Sequence, residues 1–247
     1  MDLLHIILLV SLGCAAGFIN AIAGGGSILT VPALIFLGLD GATANGSNRI
    51  AVVIQSISAI FSFRKEKLSA FRQSIHYGLY TLPGGIAGAI LAVNISDNTF
   101  KTILAVLMIL IVMTLFIPLT KRKEENKHGS ASWWIYPALM GIGFYGGFLQ
   151  IGVGFMIMAA LYHIEKLDLV HVNMHKVFLM LFFTLPAFLV FLFSGHINWT
   201  YGLTLSAGNA LGAWWGAKVS VKGGEKVIRL FVAGAAILMA LKLFHVY

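Results

Sequence analysis

Two cations stand where an apolar chain has least use for them. Arg49 follows Asp40 by nine residues and Lys176 follows Asp168 by eight, each within a long apolar segment. If each aspartate caps a helix, its cation lies about 12 Å along the axis at 1.5 Å per residue. That is roughly mid-depth in a 30 Å hydrocarbon core. A charge there costs at least about 2.5–3.5 kcal/mol, and the chemistry such a pair could do is to hold an anion. Snorkelling to an interface is the alternative if the helices start later, for example at Asn45. His175, beside Lys176, could exchange protons in the physiological range, or simply hydrogen-bond between helices.

The second chemical feature is a pair of backbone breaks. Gly24-Gly25-Gly26-Ser27 interrupts one apolar run and Gly152-Val153-Gly154 interrupts another. Consecutive glycines cost a helix about 1 kcal/mol each relative to alanine, and at membrane depth freed amides must find protein or water. A helix restarting near Ser27 or Val153 would present unpaired amides and about half a positive charge, a ready anion site. Tight helix packing by small residues explains the same glycines equally simply. Asn20, Asn48, Gln150 and Asn209 either line a cavity with them or bond neighbouring helices, worth on average about 0.6 kcal/mol. The candidate substrate-binding set is Gly24, Gly25, Gly26, Ser27, Asn48, Arg49, Gln150, Gly152, Val153, Gly154, His175 and Lys176. No catalytic residue, metal ligand or cofactor is assigned, since His171 and His175 at a four-residue spacing are only a weak zinc signal.

The elements that must position these residues are membrane helices. Of 247 residues, 59% are hydrophobic and 11% charged, and the mean hydropathy is +0.89. A soluble domain of this size could not hide so much apolar surface, whereas spans of about 20 residues fit roughly eight to ten times. The ten-residue alternation of an outer-membrane barrel is absent. The net charge of +8 sits mainly in loops, so it reads as orientation rather than nucleic-acid binding. Cys14 is the single cysteine and cannot form an internal disulfide. Met1-Asp2 lacks the basic start of a cleavable signal.

Segments are expected at about 3–23, 28–39, 41–63, 73–93 and 99–119, then, after a polar linker at 120–132, at 133–150, 153–164, 169–194, 198–218 and 225–246. The segments at 28–39 and 153–164 are too short to span comfortably. The two halves look alike. Gly17-Phe18 and Gly143-Phe144 precede the two breaks, Asn48-Arg49 matches His175-Lys176, and Gly78 and Gly88-Ala89 match Gly202 and Gly212-Ala213. Arg64, Lys65, Lys67 and Arg72 mark the loop after the third segment as cytoplasmic, while its counterpart at 195–199 has no lysine or arginine. Between the fourth and fifth segments the asymmetry reverses, from Asn94-Ile95-Ser96-Asp97 to Lys218, Lys222, Lys226 and Arg229. One topology satisfies these loops and the basic linker. The expected fold is an all-α polytopic membrane protein, a single domain over 1–247, with two inverted repeats (about 3–119 and 133–247), a cytoplasmic linker and both termini outside. Such repeats with broken helices recur in secondary transporters.

These residues carry a resemblance. Gly17-Phe18-Ile19-Asn20-Ala21-Ile22-Ala23-Gly24-Gly25-Gly26-Ser27, Val31-Pro32-Ala33-Leu34, Gly143-Phe144-Tyr145-Gly146-Gly147, Gly152-Val153-Gly154-Phe155, and the stretch Ser194–Trp199 to Gly212-Ala213 and Arg229 resemble the TauE/SafE family of sulfite and sulfonate exporters. Coverage is nearly the whole chain. The pattern departs at Asn20, often aspartate, at Arg49, often lysine, and at His175, often a small residue. The resemblance implies a carrier for small anions. The expected function is therefore export of sulfite, an organosulfonate or a related sulfur-containing or carboxylate anion across the inner membrane by alternating access. The partners are that small anion and membrane lipid, with proton coupling and homo-oligomerisation compatible with the sequence and no role for nucleic acid. An anion channel, or a transporter of an unrelated small metabolite, is the alternative. Enzyme motifs such as Gly-x-Ser-x-Gly and His-Glu-x-x-His are absent from the sequence.

Overall fold

The structure, a computed structural model, describes residues 2–68, 71–115 and 133–244, so the linker expected at 120–132 lies outside the described residues. Everything ordered into regular structure among them is helical: α1 (Leu3–Ala23), α2 (Ser27–Phe36), α3 (Gly41–Lys65), α4 (Phe71–Asn94), α5 (Asp97–Leu115), α6 (Ile135–Phe148), α7 (Val153–His163), α8 (Leu169–Phe193) and α9 (Trp199–Phe244). The expected loop at 219–224 is a correction. Lys218 to Gly223 continue the helix, and the only departure is at Gly224, whose φ of 60° and ψ of −162° kink α9 into two arms.

Local chemistry explains the boundaries. Asp40 accepts from the Thr43 amide at 2.9 Å, and Asp168 accepts from the Val170 and His171 amides at 3.0 and 3.1 Å. Both aspartates thus satisfy amides that a helix start leaves unpaired. The end of α1 is a left-handed glycine: Gly24, at φ 86°, donates to the carbonyls of Asn20 and Ile19. A side chain at that φ would be strained.

The apolar and polar surfaces are distributed as lipid requires. Leu3, Leu4, Ile7, Leu79, Ile90 and Phe193 are exposed, whereas Arg49, Lys176, His175, Asn45 and Asn173 are buried. That inside-out pattern is what a hydrocarbon solvent selects. Leu3–Ala23 and Leu169–Phe193 are each long and apolar enough to cross a membrane by themselves. The protein is an all-α membrane protein.

Backbone-to-backbone contacts through glycine hold the helices together. Gly208, Gly212 and Gly216 of α9 press successively on Val10, Cys14, Phe18 and Ala21 of α1. Gly84 and Gly88 of α4 press on Met140, Phe144 and Phe148 of α6. In both pairs the contacts advance together along the chain, so the partners run parallel. The packing of small residues lets dispersion act between backbones where lipid leaves no hydrophobic drive. The same reading of Ser47, Ser58 and Ser62 against Asn198, Ala210 and Trp214 makes α3 parallel to α9. Ser74, Gly78 and Gly85 against His175, Phe182 and Phe183 make α4 parallel to α8. The start of α3 meets the end of α8, where Gly46 and Arg49 both lie against Phe191. Hence α1, α3 and the first arm of α9 point one way, and α4, α6 and α8 the other.

Candidate functional site

Arg49 is fully buried on α3. Its Nη1 donates to the Gly146 carbonyl at 3.2 Å and its Nη2 to the Gly147 carbonyl. Its guanidinium lies 4.6 Å from the centroid of the Phe191 ring. One turn earlier, Asn45 donates its Nδ2 to the Phe148 carbonyl at 2.7 Å. These three carbonyls belong to the last turn of α6, which carries about half a negative charge and has no intrahelical donors left. The cation therefore caps a helix of the other half of the chain.

Lys176 does the same in reverse. It is fully buried on α8, and its Nζ donates to the Ala21 carbonyl at 3.1 Å and to Asn173 Oδ1 at 2.7 Å, with Met158 Sδ at 3.9 Å. Asn173 Nδ2 donates to the Ile22 carbonyl at 2.8 Å and to Ser220 Oγ at 3.0 Å. So the C-terminus of α1, immediately before the first glycine break, is capped from the second half. Neither Arg49 nor Lys176 has a carboxylate within ion-pair distance among the described residues.

The two breaks meet. A Cβ built on Gly24 would lie 2.6 Å from the Cα of Gly154, and one on Gly154 would collide with Gly24. Gly25 and Gly26 are buried beside them, as are Gly152 and Val153, and Gly152 opens α7 at φ 69°. Ser27 is the first residue of α2, and Gly26 stands at the cap position. Gly26 has no side chain with which to cap α2. Gln150 carries φ 62° just before α7 and donates its Nε2 to Thr184 Oγ1 at 2.7 Å. Asn48 accepts from Thr30 Oγ1 at 2.7 Å. His175 shares a 2.8 Å hydrogen bond with Ser74, while His171 bonds the Asp168 carboxylate, so these two histidines serve different partners. A cavity of about 550 Å³, lined by Arg72, Gln73, His76, Tyr77 and Tyr136, opens beside His175, whose ring centroid lies 5.7 Å from that of Tyr77.

Sequence reasoning missed Asn45 and Asn173 as members of this constellation. The signal was present: each is an amide one helical turn before a buried cation, at i−4 and i−3, the positions that share its face. Thr30 and Thr184, which orient Asn48 and Gln150, had no signal beyond being hydroxyls in apolar runs.

Broken helices meeting inside an all-helical membrane protein, each capped by a cation with no carboxylate partner among the described residues, define a class of membrane protein built around a charged interior. The comparisons give the family. The model for the sulfite exporter TauE/SafE family matches residues 9–243, and the chain belongs to that family. It is similar to a probable membrane transporter protein of Haemophilus influenzae, 31% identical over 99% of this chain and 96% of that one. It also resembles the probable membrane transporter proteins YfcA of Escherichia coli K12, 29% identical over 93% and 86% of the two chains, and ORF9 of a Sinorhizobium species, 28% identical over 92% and 88%. No solved structure matches the chain. The protein is thus a member of a membrane transporter family.

Proposed function

We propose that this protein is a secondary transporter that exports small anions, sulfite, an organosulfonate or a related carboxylate, across the inner membrane by alternating access. The observation that carries this reading is Arg49: a fully buried guanidinium compensated only by carbonyl dipoles and one aromatic face. A bare buried cation is expensive, and an anionic ligand is the partner that recovers the cost. Gly24 and Gly154 in contact close the space between the breaks. We read this as a closed state, from which a carrier must move its halves apart, and not as an open channel. The family's transporter character supports a non-enzymatic role.

The same reading takes the halves as inverted repeats. What supports it is direction: α1 opposes α6, α3 opposes α8, and α4 opposes the first arm of α9. The charge asymmetry between the ends agrees. Gly41 binds Asp97 at one end, and Asn198 binds Ser47 there. Arg64, Lys65, Arg72, Lys166, Lys222 and Lys226 gather at the other, which the positive-inside rule makes cytoplasmic. Both termini then lie outside.

The test is flux in proteoliposomes with sulfite, ethanesulfonate, hydroxyethanesulfonate, propionate and lactate. A carrier gives saturable flux and trans-stimulation by unlabelled anion on the far side. Flux without trans-stimulation returns the channel, and no flux of any of these anions removes the anion reading.

A further inference from the structure

The two cation centres are related in layout but not in saturation. Around Lys176 the hydrogen bonds nearly close: Lys176 and Asn173 spend their polar atoms on protein partners, His175 Nδ1 bonds Ser74, and only Asn20 Oδ1, one residue before the Ala21 carbonyl, is buried without a partner. Around Arg49 they do not. Arg49 Nε, Asn45 Oδ1, Asn48 Nδ2 and Gln150 Oε1 are all buried without a partner, on residues that are fully buried. Three of these four sit at i, i+3 and i+4 on one face of α3, and Gln150 lies two residues past the Phe148 carbonyl that Asn45 binds. So many unsatisfied buried groups on neighbouring residues is outside the usual rate. Each one costs the desolvation of a polar group with nothing in return.

Two of the four have a fixed character. Asn45 gives its Nδ2 to the Phe148 carbonyl, which can only accept, so the amide cannot be turned round and its Oδ1 is an acceptor awaiting a donor. Arg49 Nε is a donor awaiting an acceptor. Asn48 and Gln150 bond threonine hydroxyls, which can donate or accept. Either orientation leaves one further amide atom open on each.

Resting on the proposed anion transport, we infer that the ligand binds on the Arg49 side alone, among Asn45, Asn48, Arg49 and Gln150, and that it is a small sulfonate or carboxylate that itself carries a hydroxyl or amino donor. The negative oxygens meet Arg49 Nε, and the ligand's own O–H or N–H meets Asn45 Oδ1. An anion with acceptors only, such as sulfite or an unsubstituted alkanesulfonate, leaves Asn45 unpaired. Sites built to bond a hydroxyl reject the analogue lacking it, because the unpaired group stays buried. Lys176, already saturated, holds the α1 terminus and does not touch the ligand.

Matched probes test this on the purified full-length protein, with ligand-induced thermal stabilisation as the readout. The pairs are hydroxyethanesulfonate against ethanesulfonate, and lactate against propionate, with sulfite as a third acceptor-only anion. The expected result is a Kd about tenfold or more tighter for the hydroxylated member of each pair. In Asn45→Leu the ratio falls towards one while both anions still bind. Equal or tighter binding of ethanesulfonate, propionate or sulfite by the wild type overturns the donor requirement and leaves anion transport standing. That is also the outcome if water alone fills the four atoms. Stabilisation by none of the five probes overturns both readings. The wild-type comparison decides the matter even if Asn45→Leu fails to fold.

Discussion

Arg49 and Lys176 occupy equivalent places in the two halves and do different work. Arg49→Met is expected to abolish anion-dependent stabilisation, because Arg49 Nε is the one cationic donor among the described residues that is buried without a partner. Lys176→Met should retain anion-dependent stabilisation but unfold at lower temperature. Its loss uncaps α1 and leaves Asn173 Oδ1 without its donor, at a cost of about 2 kcal/mol, the upper end for a helix-terminal charge. Thermal unfolding of each variant with and without hydroxyethanesulfonate separates the two effects. Loss of the ligand response in Lys176→Met would return that lysine to the binding site. The position of both cations along their helices was legible in the sequence, since Asp40 and Asp168 do cap α3 and α8. Their partners were not legible, because a carbonyl at a helix end is invisible in residue types. That Arg49 Nη1 and Nη2 bond the Gly146 and Gly147 carbonyls and leave Nε open could not be read from residue types.

At the scale of elements, the breaks act by touching. Gly24→Ala places a methyl into the backbone of Gly154 and also demands φ 86° of a residue with a side chain. Overpacking costs typically 1–3 kcal/mol, and the left-handed conformation about 1–2 kcal/mol more. Gly154→Ala meets the same wall from the other side. Gly141→Ala on exposed α6 surface has nothing within 4 Å and should be neutral or stabilising by up to about 1 kcal/mol. Denaturation midpoints of the three variants check this ordering, and a tolerated Gly24→Ala would mean that the breaks separate freely. Each break was readable as an anomaly in its own apolar run, whereas their contact depends on tertiary packing and has no local signature. The helix boundaries show the same division. The glycines at 24–26 stop α1, yet Gly223 continues α9 and only Gly224 bends it. Composition alone could not tell a helical glycine from a kinked one.

For the whole molecule, the account requires two inward-related halves with opposite orientation. A Cys14→Ser background carrying Asn94→Cys or Ser194→Cys should label with an impermeant thiol reagent from outside, and Lys67→Cys only from the cytoplasm. All three positions are exposed at helix ends. Labelling of Asn94→Cys or Ser194→Cys from the cytoplasmic side alone would contradict the topology. The all-α membrane class followed from hydropathy, because lipid imposes it directly on composition, whereas the ten expected segments became nine helices among the described residues, the last two joined through the kink at Gly224. What bound where did not follow, since it rests on which polar atoms find partners. The most direct measurement is therefore an experimental structure with a bromine-substituted hydroxysulfonate and an anomalous map. The account predicts one bromine peak beside the Asn45, Arg49 and Gln150 side chains. A peak at Lys176 or in the surface cavity by Tyr136, with the Arg49 cluster empty at saturating ligand, would contradict it.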